Sequence, residues 1–187
     1  CRFLDPANDA PAAVVGEHLS AAWDGADVAA RLTAGATVAT FEFENVPLAT
    51  AKAVAALVPL HPRPAALIAK QDRLDEKRFL NRLGVTTAPF AAVDDRAGLD
   101  RAVAQLGLPA VLKTRRDGYD GKGQRLLRVQ ADLDPAWAAL AGRPLILEGF
   151  VRFAREVSLL AVRGHDGEVR CWPLVENQHR DGILHRS

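Results

Sequence analysis

The sequence has few of the residues that build disulfide scaffolds, cysteine metal centres or membrane spans. Its 187 residues include two cysteines, Cys1 and Cys171, and no methionine. Two cysteines so far apart in sequence exclude a disulfide framework and a metal-ligand spacing. The sequence has no signal peptide and no run of about 18 apolar residues, so nothing in it indicates export or a membrane span. We therefore expect a cytoplasmic protein, in a reducing compartment.

An excess of charge of one sign is also lacking. The chain has 24 lysines and arginines against 23 aspartates and glutamates, and a net charge of +1. No overall field therefore attracts nucleic acid or a membrane surface, and anion binding has to come from a local arrangement. Hydrophobic residues make up 49% of the chain, which is ordinary for a globular protein with a core.

Both ends of the chain resemble interrupted strands. The sequence begins without methionine on CRFLDP, which has the pattern of a strand running into a loop, and it stops at GILHRS. We expect a fragment of a longer protein, and a processed complete domain is the alternative.

Strand and helix patterns alternate in the first part of the chain. An apolar, β-branched stretch at 36–43 predicts a buried strand between helices at 27–35 and 47–58. Such alternation is typical of a parallel sheet covered by helices. An amphipathic helix is predicted at 72–84, with Asp72 as its N-cap and Gly84 at its end.

The pattern changes between residues 70 and 90 to helices separated by antiparallel strands. The predicted elements are helices at 95–107 and 131–141, a hairpin at 109–129, a strand at 144–151, and two antiparallel strands at 155–164 and 168–177. The predicted fold class is therefore α/β followed by α+β.

The hairpin tip RRDGYDGKGQ, residues 115–124, is unusually rich in glycine and charge. Glycines allow backbone N–H groups to converge on an anion, and Lys113 lies on the strand before the loop. The spacing is neither a Walker A loop nor the Rossmann fingerprint, because a strand follows it. From spacing alone two interpretations stay open, a loop that covers phosphates and an exposed hairpin tip.

Six segments together resemble one enzyme superfamily. QDRLDEKRFLNRLGVTTAPF, VLKTRRDGYDGKGQ, LILEGFV, REVSLLAVRG and ENQHRDGILHRS occur in the order and spacing of the ATP-grasp superfamily. With TFEFENVP, they resemble its N5-carboxyaminoimidazole ribonucleotide synthetase family. The resemblance covers essentially the whole chain.

The resemblance implies a division of the chain into four parts. Residues 1–70 would be a partial Rossmann-like pre-ATP-grasp domain, and 71–90 a linker helix and connection. Residues 91–151 would be the small ATP-grasp subdomain, with a mixed or antiparallel sheet and the glycine-rich phosphate loop. Residues 152–187 would begin the C-terminal ATP-grasp subdomain. The family's opening glycine-rich turn and its later acidic metal ligands are absent from the sequence. We therefore expect these 187 residues alone to have no catalytic activity.

The implied activity is ATP-dependent carboxylation of 5-aminoimidazole ribonucleotide with bicarbonate, in purine biosynthesis. The implied cofactors are ATP and Mg²⁺, with the metal ligands in the missing C-terminal part, and the full-length protein is expected to be a homodimer. One alternative is another ATP-grasp ligase, such as the formate-dependent glycinamide ribonucleotide transformylase. A non-catalytic nucleotide-binding module is the other.

The resemblance also assigns nucleotide-binding residues. Arg73 and Lys113 would contact the phosphates, and the loop Gly118–Gln124, called the lid below, would cover them. The backbone of Glu148–Val151, called the hinge below, would pair with the adenine edge, so that the Glu148 side chain matters less. Glu156 would bind the ribose hydroxyls, and His179 would lie near the nucleotide. The full set is Arg73, Lys113, Gly118, Tyr119, Asp120, Gly121, Lys122, Gly123, Gln124, Glu148, Gly149, Phe150, Val151, Glu156 and His179.

Four residues are implied to act on the ribonucleotide or bicarbonate: Tyr119, Asp120, Lys122 and Glu42. Glu42 is expected at the carboxyl end of the predicted strand, where α/β sheets bind ligands. Each assignment has a plainer alternative. Arg73 could be solvated, Glu148 could be a carboxylate at the rim, and Glu156 could pair across strands with Arg163 or Arg170. No metal ligand is assigned.

Overall fold

The computed structural model describes residues 1–118, 123–180 and 183–187. The chain divides into two compact units, Cys1–Val85 and Thr86–Ser187. The expected mixture of an α/β part and an α+β part is confirmed.

The first unit combines a small parallel sheet with four helices. Strand β1 (Arg2–Asp5) pairs in parallel with β2 (Glu17–Ser20), and a 3₁₀ turn at Pro11–Val14 connects them. The helices are α1 (Val28–Thr33), α2 (Leu48–Ala55), α3 (Pro64–Lys70) and α4 (Arg73–Arg82). Their core consists of Val46, Ala51, Val54, Leu60 and Leu67.

The predicted buried strand at 36–43 is wrong. In this stretch only Ala39 forms a bridge, to Leu60, through bonds from Ala39 N–H to the Pro59 carbonyl (2.8 Å) and from His61 N–H to the Ala39 carbonyl (3.0 Å). Val38 is 55% exposed. The residues have strand propensity, but a strand needs a partner along its length, and propensity does not supply one.

The N-cap predicted for α4 is confirmed. The Asp72 carboxylate accepts hydrogen bonds from the N–H groups of Leu74 (3.0 Å) and Asp75 (3.4 Å), which satisfies donors that the first turn leaves free. Gly84 follows the helix in the left-handed region, with φ of +78°. Helix α4 thus begins and ends at the residues that the sequence indicates.

The second unit contains a four-stranded antiparallel sheet in the order β3-β6-β4-β5. The strands are β3 (Phe90–Val93), β4 (Ala110–Thr114), β5 (Gln124–Leu127) and β6 (Leu145–Gly149). Helices α5 (Arg96–Leu106) and α6 (Leu133–Leu140) pack on one face. The predicted hairpin is formed by β4 and β5.

The two faces of this sheet have different chemistry. Ala110, Leu112 and Thr114 alternate towards the helices and are buried, whereas Val111 and Lys113 lie on the other face, called the outer face below. On β6, Leu145 and Leu147 belong to the helix-side core, so Ile146 and Glu148 lie on the outer face. The sheet therefore presents Lys113 and Glu148 on the same side.

The last part of the unit consists of five short strands. They are β7 (Glu156–Ser158), β8 (Ala161–Arg163), β9 (Val169–Cys171), β10 (Val175–Arg180) and β11 (Ile183–Arg186). One antiparallel sheet has the order β11-β10-β7, and β8 pairs separately with β9. The predicted antiparallel pairing of 155–164 with 168–177 is confirmed, because β8 pairs with β9 and β7 with β10. The prediction is wrong only in making each strand continuous. Pro173 separates β9 from β10 and has no N–H to donate to a ladder.

None of the helices in the described ranges has the length and apolar character that crossing a membrane requires.

Candidate functional site

A lysine and a glutamate form an ion pair on the outer face of the four-stranded sheet. Lys113 Nζ donates to Glu148 Oε2 at 3.0 Å. In the β4–β6 register, Val111 lies opposite Glu148 and Lys113 opposite Ile146, so the pair is a diagonal contact between neighbouring strands. Glu148 is 8% exposed, and Ile146 beside it is fully buried. The pair is thus held in a site from which water is largely excluded.

This arrangement suits the binding of an anion. A buried carboxylate requires a partner to offset its desolvation, and Lys113 supplies the charge. An ammonium group has three N–H donors, and Glu148 uses one of them. The remaining donors of a positioned point charge can bind phosphate oxygens.

The second end of the lid is fixed beside Lys113. Gln124 is the first residue of β5 and the register partner of Lys113, and the Gly123 carbonyl accepts a bond from Thr114 N–H at 2.9 Å. Gly123 has a φ of +76°, and a Cβ at this position would lie 2.8 Å from Thr114 Oγ1. Both facts require glycine at this position.

The lid is described only at its ends. Gly118, Gly123 and Gln124 belong to the described residues. Tyr119, Asp120, Gly121 and Lys122 lie outside them, so their predicted roles stay predictions.

The hinge continues directly from β6. Gly149 N–H donates to the Pro89 carbonyl (2.8 Å) and Phe150 N–H to the Pro109 carbonyl (3.2 Å). Among the described residues, Val151 N–H has no hydrogen-bond partner. Of these three amides, Val151 is the one whose N–H is available to the ring nitrogen of a purine.

The position of the Glu148 side chain was not anticipated. A carboxylate at an exposed rim is inconsistent with a side chain that is buried and paired with Lys113. The sequence led us to expect that the Glu148 side chain matters less than its backbone. The structure adds that this side chain holds the predicted phosphate-binding lysine.

A second polar group lies between β7 and β10. It comprises Glu156, Ser158, Asn177 and His179, called the β7–β10 cluster below. His179 Nε2 lies 3.5 Å from Glu156 Oε1, and Asn177 Nδ2 donates to the same oxygen at 3.2 Å. Asn177 Nδ2 also donates to Ser158 Oγ at 2.6 Å. The strand register brings Glu156 and His179, which the sequence assigned separately, onto one face.

The alternative partners of Glu156 are wrong. Arg170 pairs instead with Glu168, at 2.9 Å. Glu156 has no ion pair with Arg163 among the described residues, since its contacts are those within the β7–β10 cluster. Its carboxylate is half-exposed, so it can accept hydrogen bonds from the two hydroxyls of a diol.

Two further predicted residues lie in the first unit. Arg73 is the first residue of α4, is half-buried, and has no hydrogen bond or ion pair with the described residues. Glu42 is exposed and lies outside any strand, so its expected place at a strand's carboxyl end is wrong. Its neighbour Glu44 forms an ion pair with Lys70 at 3.3 Å.

The sequence reasoning missed Asn177. The ENQHRDGI motif directed attention to its histidine, although the asparagine lies directly opposite Glu156 in the register. The available signal was the alternation, since Glu156 and Ser158 are two apart on one strand and Asn177 and His179 two apart on the other.

No group of three or more His, Cys, Asp or Glu side chains within 1–118, 123–180 and 183–187 could hold a metal ion.

Comparison with known proteins gives matches along the whole chain. Residues 78–187 match the family model of the ATP-grasp domain, and residues 1–71 match that of the ribonucleotide synthetase preATP-grasp domain. The N5-carboxyaminoimidazole ribonucleotide synthase of Pseudomonas aeruginosa is 50% identical over 99% of this chain and 51% of its own length. The chain spans about half the length of the curated relatives it matches.

Two solved structures show the same similarity. The N5-carboxyaminoimidazole ribonucleotide synthetase of Thermus thermophilus is 49% identical, with a TM-score of 0.89 over 98% of this chain and 49% of that one. The N5-carboxyaminoimidazole synthase of Aspergillus clavatus, in complex with ADP and 5-aminoimidazole ribonucleotide, is 26% identical, with a TM-score of 0.84 over 97% of this chain and 48% of that one.

Proposed function

Because the chain belongs to the ATP-grasp family, we propose that the protein catalyses the ATP-dependent carboxylation of 5-aminoimidazole ribonucleotide by bicarbonate. The product is N5-carboxyaminoimidazole ribonucleotide, formed with ADP and phosphate. The observation that carries this proposal is that synthases of this name match both units, across 99% of the chain at 50% identity in one case. The likeness thus extends beyond the nucleotide-binding domain that all ATP-grasp enzymes share.

The proposed chemistry has two steps. The γ-phosphate of ATP passes to bicarbonate, which gives ADP and carboxyphosphate. The amine of the ribonucleotide then attacks the carboxyl carbon, phosphate leaves with the bonding electron pair, and the amine loses a proton. Catalysis of this kind depends on neutralising the phosphate charge and on keeping water from the activated intermediate.

The described geometry supports a separate nucleotide-binding role for each of several groups in the second unit. Lys113, held by Glu148, would bind the phosphates beneath the lid, and Val151 N–H would bind the adenine ring. Glu156 would accept hydrogen bonds from the ribose hydroxyls, with His179 beside it. Each role follows from the chemistry of the group, a point charge for phosphate, a free N–H for a ring nitrogen, and a carboxylate for a diol.

Five further roles are proposed from the family resemblance. Arg73 would contact the nucleotide phosphates, and Glu42, Tyr119, Asp120 and Lys122 would face the ribonucleotide or bicarbonate. Mg²⁺ is part of the proposal as a cofactor of the reaction. We assign it no ligand among the described residues and derive no step through it. A cytoplasmic homodimer is proposed on the same ground.

Substrate-dependent ATP hydrolysis in the complete gene product tests the proposal. We expect ADP to form when 5-aminoimidazole ribonucleotide and bicarbonate are both present, and little when either is omitted. Stimulation by glycinamide ribonucleotide and formate instead would identify the transformylase. If ATP binds but is hydrolysed under none of these conditions, the protein is a non-catalytic nucleotide-binding module. Lys113→Met should abolish the ADP signal and serves as the blank.

A further inference from the structure

Asn177 makes hydrogen bonds with both ends of its side-chain amide. Its Nδ2 donates to Glu156 Oε1 (3.2 Å) and to Ser158 Oγ (2.6 Å), and its Oδ1 accepts from Ser187 Oγ (3.1 Å). A primary amide has two N–H donors, and here both are used. The two serine hydroxyls can each donate or accept, whereas the Glu156 carboxylate can only accept, so the carboxylate fixes the direction of the amide. Its donor end therefore faces the carboxylate.

The strand pairing determines this contact. Asn177 on β10 lies directly opposite Glu156 on β7, and Val175 lies opposite Ser158. Directly opposed residues on antiparallel strands have Cβ atoms only about 5 Å apart. The asparagine is half-buried, whereas Glu156 is exposed along about half of its side chain. A fixed donor thus lies beneath a carboxylate that would otherwise rotate freely at the surface.

The two contacts of Glu156 involve the same oxygen. Asn177 and His179 both contact Oε1, and among the described residues no hydrogen bond or ion pair involves Oε2. The carboxylate plane is therefore oriented with one oxygen towards the strand and the other directed away from these partners. Such an orientation prepares the second oxygen for a ligand hydroxyl.

We propose that Asn177 is a positioning residue that orients the Glu156 carboxylate for the ribose of the nucleotide, an inference that rests on the proposed function. Asn177 does not contact the nucleotide. It fixes the orientation of the Glu156 carboxylate, with one oxygen left for the ligand, and so determines how strongly the site distinguishes a ribose from a deoxyribose. His179 shares the contact with Oε1 but donates only in one tautomer or when protonated, whereas the asparagine donates in every protonation state.

The test compares ATP with 2′-deoxy-ATP and 3′-deoxy-ATP in the complete gene product. Asn177→Asp keeps the size of the side chain but replaces the donor by a second carboxylate next to Glu156. We expect the ratio of kcat/KM for ATP to that for the deoxynucleotides to fall about tenfold, the change that losing one hydrogen bond to a charged group produces. The loss should lie in KM, with kcat changed less than about threefold.

Gln178→Glu is the matched control. It introduces the same chemical change one residue further along β10, at an exposed position on the opposite face. Its nucleotide discrimination should equal that of the wild type. Ser187→Ala removes the donor to Asn177 Oδ1 and should lower the ratio in the same direction by about twofold to threefold. If circular dichroism shows that Asn177→Asp does not fold, Ser187→Ala is used as the test variant instead.

Two results would overturn the inference while leaving the proposed function in place. One is an equal loss with ATP and both deoxynucleotides, which is what a merely structural role predicts. The other is a wild-type protein that uses ATP but does not distinguish it from either deoxynucleotide. If the wild type neither binds nor hydrolyses ATP, the proposed function falls, and the inference falls with it.

Discussion

The ion pair between Lys113 and Glu148 makes a quantitative prediction about stability. Glu148→Leu removes the carboxylate and leaves the lysine ammonium on a sheet face where its side chain is 21% exposed. Breaking a fully buried pair costs about 3–5 kcal/mol, and breaking an exposed one costs about 0–1 kcal/mol. Lys113 can still direct its ammonium towards water along its flexible stem. We therefore expect the free energy of unfolding to fall by about 2 kcal/mol.

The double variant Lys113→Met/Glu148→Leu distinguishes the cause of that loss. Replacing both charges by apolar groups of similar size removes the unpaired ammonium and leaves a hydrophobic contact next to Ile146, which is fully buried. Such replacements are often neutral or stabilising. We expect the double variant to unfold within about 1 kcal/mol of the wild type, although it should no longer bind ATP. Nucleotide binding would then be lost while the free energy of unfolding stays close to that of the wild type.

The stability of both variants is measured by urea unfolding of the complete gene product. Tryptophan fluorescence reports the transition, and Trp137, which packs against the core of the second unit, contributes to it. Glu168→Leu is the matched control, because it also removes the carboxylate of an ion pair, but an exposed pair with Arg170. It should change stability by less than about 1 kcal/mol. The reasoning is refuted if Glu148→Leu is as stable as the wild type. It is also refuted if the double variant is no more stable than Glu148→Leu, since an unpaired ammonium would then not explain the loss.

Two more predictions follow from the loop ends of the second unit. Gly123→Ala should lower the free energy of unfolding by about 1 kcal/mol or more beyond the loss caused by Gly142→Ala, as measured by urea unfolding. Both glycines have positive φ, but only Gly123 faces Thr114. Equal losses would show that the contact with Thr114 is unimportant. Hydrogen bonds from the N–H groups of Arg128 and Val129 lower the pKa of Asp132. Its stabilisation is therefore complete above the unfolded pKa and is lost as the pH falls through the lower, folded pKa. Asp132→Asn should make the midpoint of urea unfolding less dependent on pH in that acid range, and an unchanged dependence would contradict this.

Local sequence signals predicted the features that depend on a few neighbouring residues. The N-cap of Asp72 and the helix end at Gly84 follow from the chemistry of those two side chains and their own backbone. The β4–β5 hairpin also follows from a local pattern, with its loop rich in glycine. In these places the sequence and the structure agree because no distant residue is involved.

Features that depend on distant partners were predicted less well. The stretch 36–43 has the composition of a strand, but its backbone pairs only at Ala39, and no local pattern could show that. The ion pair of Lys113 with Glu148 joins residues 35 positions apart. It exists because the β4–β6 register makes them diagonal neighbours. The two sequence segments were each recognisable, but their contact was not.

The candidate site thus depends on strand register more than on individual side chains. Lys113 and Glu148 meet through one antiparallel pairing, and Glu156 and Asn177 meet through another. A shift of one residue in either pairing would turn a side chain to the opposite face of its sheet. Leu147 is buried on the helix side of β6, next to Glu148, and its packing helps to hold that register. Substitutions of Leu147 should therefore weaken nucleotide binding although no residue of the site is replaced.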